Sequence, residues 1–130
     1  GVISGRAHIE YDVGTAGTGS DGFGMELLLG TSIVAYATST LPSTFGDGIY
    51  IGDLFFTLIE SGTNAQEGSF SVNLSKFESA DLNSQRLNFG ARNYSATVDT
   101  SSAQILRFNA LPSDTNMSIT VSNVFLELIK

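Results

Sequence analysis

Apolar and polar residues alternate along most of this chain, and no stretch convincingly carries the three- and four-residue spacing of a helix. Arg6 to Val13 sets the pattern: Ala7, Ile9, Tyr11 and Val13 share one side of an extended segment, and Arg6, His8, Glu10 and Asp12 share the other. Phe23 to Leu29, Ser32 to Thr40, Ile49 to Glu60, Ser69 to Leu74, Arg86 to Ala91, Tyr94 to Val98, Gln104 to Leu111 and Ser118 to Ile129 read as strands in the same way. Turn residues punctuate them. Gly14 to Gly22 is rich in glycine and hydroxyl residues, Gly30-Thr31 suits a tight hairpin, Pro42 bars a central strand, and Ser61 to Gly68 reverses the chain. Short alternating segments at this spacing predict an all-β fold, an antiparallel two-sheet sandwich of jelly-roll type with about eight to nine strands in a single domain. Ser75 to Gln85 is polar, with room for one helical turn.

The segment Ile49 to Glu60 departs from simple alternation, because apolar side chains fall on both of its faces. Ile51, Phe55 and Ile59 lie on one parity, and Tyr50, Leu54, Phe56 and Leu58 on the other. Such a strand needs two covers. The expectation is that Ile51, Phe55 and Ile59 occupy the core, while Tyr50, Leu54, Phe56 and Leu58 meet a copy of the chain; a loop such as Ser75 to Gln85 folding over that face is the alternative. The last strand shows a phase change: Ile119 and Val121 share one parity, Val124, Leu126 and Leu128 the other. A β-bulge near Ser122-Asn123 would restore a common face; without it Phe125 and Ile129 face a second apolar surface. Phe125 is therefore expected to join Tyr50, Leu54, Phe56 and Leu58 in the interface.

Composition narrows the chemistry. With no cysteine there is no disulfide, thiolate metal site or cysteine nucleophile. Thirteen acidic residues against six lysines and arginines give a net charge of -7, which argues against nucleic acid or anionic lipid as a partner. No apolar run approaches membrane-spanning length, and no basic-then-apolar signal segment opens the chain. The start at Gly1 fits either removal of an initiator methionine or a piece of a longer protein, and the second is the expectation.

Little here resembles catalytic machinery. His8 is the only histidine and sits on the polar parity of its strand, where a surface role is expected. The Asp-Gly pairs at Asp21 and Asp47 lack the alternating oxygen ligands of a calcium loop and read as turns. Gly14 to Gly19 lacks the lysine and following helix of a phosphate loop. A glycosidase pair drawn from Glu10, Asp12, Glu26, Asp53 and Glu60 would be made by the fold rather than by spacing, and the chain has no tryptophan to stack a sugar. The expectation is a protein that is not an enzyme and has no cofactor or metal. Tyr36, Phe45 and Tyr94, aromatics outside the inward sets, are the candidate ligand platform, with capping of the core edges as the competing role.

Three blocks carry a resemblance. Phe23 to Ala35 (FGMELLLGTSIVA) resembles the block of bacteriophage virion proteins in which an alternating strand ends in Leu-Gly-Gly or Leu-Gly-Thr and continues as a threonine-rich strand. Leu54 to Phe70 is similar to the next block, an amphipathic strand, an Arg-Thr-Gly-Ala-type turn and a strand back. Val98 to Phe108, followed by Ser118 to Ile129, resembles the closing block, where an aspartate and threonines precede a strand and the chain ends in Val-Glu-Leu-Leu or similar. The resemblance implies a jelly-roll domain, commonly a homotrimer, at a fibre tip, needle, spike or capsid surface. Its partners would be other virion proteins and a host-surface glycan or protein, and it transfers no catalytic residues. The expected function is surface presentation on the virion, most simply for host attachment, with a capsid decoration protein or a secreted carbohydrate-binding module as alternatives.

Overall fold

The structure, a computed structural model, describes residues 1–12, 22–40, 48–76, 86–111 and 118–129. Eight strands account for most of them: β1 (Val2–Asp12), β2 (Gly22–Leu29), β3 (Ser32–Thr40), β4 (Ile49–Gly62), β5 (Ala65–Lys76), β6 (Arg86–Ala96), β7 (Leu106–Ala110) and β8 (Ser118–Ile129). They form two antiparallel sheets, one ordered β6-β5-β4-β1-β8 and the other β3-β2-β7. The first strand pairs with the last, the second with the seventh and the fourth with the fifth, while β3 packs on β6. The two antiparallel sheets packed on each other make a β-sandwich. The separate segments expected at Arg86 to Ala91 and Tyr94 to Val98 are one strand, because a register shift opposite Gly68 and Phe70 absorbs the break in alternation and keeps β6 paired with β5.

The core lies between the sheets. From the large sheet come Ala7, Ile9, Tyr11, Tyr50, Leu54, Phe56, Leu58, Phe70, Val72 and Leu74, and from the small sheet Met25, Leu27, Leu29, Val34 and Ala35, all buried. Tyr11 and Tyr50 face each other across the β1–β4 ladder. Burial pushes the Tyr11 phenol far above its ordinary value, with the nearby Gly24 backbone acting weakly in the other direction.

The expected orientation of β4 is reversed. Tyr50, Leu54, Phe56 and Leu58 are all buried in the core, while Phe55 is 45% exposed and Ile59 43%. The neighbouring strands decide this. On the even parity of β4 the cross-strand partners include Tyr11, Ile9, Ala7, Ile3, Phe70, Val72 and Leu74, with Lys76 the one charged residue; on the odd parity they include Glu10, His8, Arg6, Ser71, Ser75 and Glu67, with Val2 the one apolar residue. Side chains directly opposite share a face, so the even set must join the apolar faces of β1 and β5. Tyr50, Leu54, Phe56 and Leu58 are thus covered almost entirely by their own chain rather than by a copy of it. The alternative cover, a loop at Ser75 to Gln85, falls mostly outside the described residues.

Two local devices join the layers. Gly68 on β5 has the Val34 carbonyl oxygen against the position a Cβ would occupy, so only glycine lets β3 approach this closely. Gln66 is a buried polar side chain whose Nε2 donates to the Val98 carbonyl at 2.9 Å and whose Oε1 accepts from the Val98 N–H at 2.7 Å. Thr100, two residues on, donates its N–H to the Thr63 carbonyl and its hydroxyl to the Glu60 carboxylate. The stretch leading out of β6 is thereby fixed to the β4–β5 hairpin before the chain enters β7.

Candidate assembly surface

β8 is an edge strand of the large sheet, hydrogen-bonded on one side to β1. Its phase change resolves as a bulge. Asn123 takes a left-handed φ of 52°, and the β1–β8 register slips opposite Arg6 and His8. The extra residue brings Ile119 and Val121, opposite Tyr11 and Ile9, onto the same face as Leu126 and Leu128, opposite Gly5 and Ile3. These positions have the parity of the core, yet Leu126 is 65% exposed and Leu128 60%. The three-stranded sheet, whose edge here is β7, leaves this part of the five-stranded sheet uncovered.

The result is an apolar slot of about 350 Å³ at the open edge of the sandwich, between Leu106 and Phe108 of β7 and Val121, Val124 and Leu126 of β8, with Phe56 at its inner end. Gly5 makes this possible: a Cβ there would collide with the Phe56 ring, which instead reaches across β1 and meets Phe108 edge-on, centroids 5.1 Å apart.

The opposite, outward face carries three cross-strand rows over β4, β1 and β8: Phe55–Arg6–Phe125, Thr57–Ser4–Glu127 and Ile59–Val2–Ile129. The Arg6 guanidinium lies 5.2 Å from the centre of the Phe125 ring, a cation–π contact. Phe125 is 61% exposed all the same, and an open groove of about 620 Å³ runs beside it past Phe55, Thr57 and Glu127. One strand therefore exposes apolar side chains on both faces along the sheet edge.

Of the residues expected at an interface, Phe125 is exposed on this surface, Phe56 lines the floor of the slot while 5% exposed, and Tyr50, Leu54 and Leu58 are buried in the core. The residues sequence reasoning missed are Arg6, Phe55, Val124, Leu126 and Leu128; the available signal was the run Val124 to Ile129, which has a single charge. The candidate ligand platform is dispersed: Tyr36 is half-exposed on β3 of the small sheet, Tyr94 half-exposed on β6 of the large one, and Phe45 lies outside the described residues. No ring contact joins Tyr36 to Tyr94. His8 stands opposite Asp53 in the β1–β4 ladder and opposite Ser122 in the β1–β8 ladder. Asp21 and Asp47 lie outside the described residues, among which no three His, Asp or Glu side chains gather as a metal site. No protein-family model, curated protein or solved structure matches this chain.

Proposed function

We propose that this chain is a non-enzymatic structural domain of a bacteriophage virion, displayed at the particle surface for host attachment and working as an assembly of identical copies. The observation that supports it is the β8 edge. Large apolar side chains exposed together on both faces of one strand suit a part that is covered in use, since isolated subunits rarely leave contiguous apolar patches of several hundred Å² open. Three as the number of copies, and the virion as the setting, come from the family likeness of the Phe23 to Ala35, Leu54 to Phe70 and Val98 to Ile129 blocks.

The test is immunogold labelling of particles produced from the genome that encodes the chain, with antibody raised against the purified domain. Label at tail fibres or spikes supports attachment. Label over the capsid supports a decoration protein instead, and unlabelled particles end the virion reading.

A secreted carbohydrate-binding module is the second reading, favoured by the Phe55–Arg6–Phe125 row beside an open groove. Binding to a glycan array that is lost in Phe55→Ala would establish it.

A further inference from the structure

We infer that a second copy of this chain docks on β8 head to tail, seating Phe125 of one copy in the slot between β7 and β8 of the next. This deepens the self-assembly reading above and rests on it.

Phe125 and the slot lie on different faces of the same strand. Phe125 shares the outward row with Arg6, whereas Val121, Val124 and Leu126 line the slot from the core-parity face. The ring therefore cannot fill the slot of its own chain. An apolar cavity of about 150 Å³ accepts benzene, so a slot of about 350 Å³ has room for a phenyl ring and part of its neighbours. Arg6 already holds the Phe125 ring from one side, which limits the rotamer freedom that docking would otherwise remove.

Area sets the scale of the contact. Phe55, Ile59, Phe125 and Ile129 on the outward face, with Val121, Val124, Leu126 and Leu128 on the slot face, are between 38% and 65% exposed. At up to roughly 200 Å² for a full aromatic side chain, each face presents at most on the order of 400 Å², so the outward face of one copy against the slot face of the next brings these side chains to about half the total area of a standard interface.

Charge favours the same occupant. The chain carries -7, so most approaches of one copy to another bring carboxylates together. Around the groove and slot the ionisable residues are Arg6, Arg107 and Glu127, a local balance of the opposite sign. A knob and a slot on different sides of one strand make a heterologous contact, which builds a ring where the rotation closes and an open filament where it does not, rather than a two-fold pair.

The experiment uses two charge substitutions at exposed positions, Phe125→Glu for the knob and Val124→Glu for the slot, followed by light scattering and circular dichroism. The parent should be a multimer. Each variant should keep the parent spectrum and run as a single chain, its dissociation constant raised at least ~100-fold. Phe125→Ala, which adds no charge, should weaken assembly by about tenfold or more. Mixing the two glutamate variants should give a species of two chains, because one intact knob and one intact slot remain. A parent that is itself a single chain overturns both this docking and the self-assembly reading. A multimeric parent whose variants stay multimeric, or a mixture that stays single-chain, overturns the head-to-tail docking alone.

Discussion

Replacing Gln66 by Ala should be among the most damaging single changes outside the apolar core. The side chain is 4% exposed and its amide makes both a donor and an acceptor contact with Val98, which is itself buried. Truncation strands the Val98 N–H and C=O away from water, and each such group costs about 1–3 kcal/mol. The sum is roughly 2–5 kcal/mol once some relaxation is allowed. For a domain of this length that is a fall in Tm of about 8–20 °C. Thermal and urea unfolding followed by circular dichroism would measure it, with the urea slope unchanged if the folded state keeps its compactness. Gln66→Met, which keeps the volume and removes the hydrogen bonds, should lose most of the same stability. If Gln66→Met lies within about 0.5 kcal/mol of the parent, the hydrogen-bond argument is refuted and the loss in Gln66→Ala is only a packing effect. A further consequence reaches the assembly surface. The clamp fixes the stretch that delivers β7, where Leu106 and Phe108 form one wall of the slot, so weakened clamping should also weaken assembly.

Two other perturbations test the fold. Gly68→Ala should destabilise by about 2–4 kcal/mol, because its Cβ meets the Val34 backbone rather than a side chain that could swing away; a loss below about 0.5 kcal/mol in urea unfolding would show that β3 and β5 separate easily. Tyr11 makes stability fall at high pH. Its folded-state value is raised above the 10.0 of the unfolded chain, so its contribution is complete below pH 10 and is lost as pH rises from there toward the folded value, at up to about 1.4 kcal/mol per pH unit. In Tyr11→Phe the alkaline slope should flatten by that amount, and an unchanged slope would contradict the burial argument.

The sandwich was legible because alternation is a local signal and each segment carried it independently. β2, β3 and β8 begin and end almost where their alternation does, and the bulge near Ser122-Asn123 was visible as a slip of one residue in the apolar register. What misled was β4. Both its parities are apolar, so no count along that strand alone could orient it; the information lay in its neighbours. The Thr63-Asn64 turn sets Phe56 opposite Phe70 and Leu54 opposite Val72, and the inward set of β5 then fixes the inward set of β4. That inference was open to sequence reasoning, since Phe70, Val72 and Leu74 alternate strictly with Ser69, Ser71 and Asn73 and leave no doubt which side of β5 is apolar. The slot was not, because it depends on the small sheet stopping at β7, and the width of a sheet is a property of the whole topology rather than of any segment.

The two edges of the large sheet show how differently one chain can treat the same liability. An edge strand offers unpaired backbone to any passing strand, and soluble proteins blunt such edges with charge, irregularity or a covering element. At β6 all three are present: Arg86 and Arg92 are exposed, the register slips opposite Gly68 and Phe70, and β3 packs alongside. At β8 the charges are missing. From Val124 to Ile129 the one ionisable side chain is Glu127, the bulge lies behind this run rather than within it, and the small sheet stops short. Burying even one side chain of this class is worth about 1.5–3 kcal/mol, so the exposed set represents a large free energy that a single copy leaves unused. A chain with an acidic surface and one well-protected edge has the means to protect the other. That it concentrates leucine, isoleucine and phenylalanine there instead, on both faces and beside a slot of matching chemistry, is the physical case for the proposed docking of a second copy.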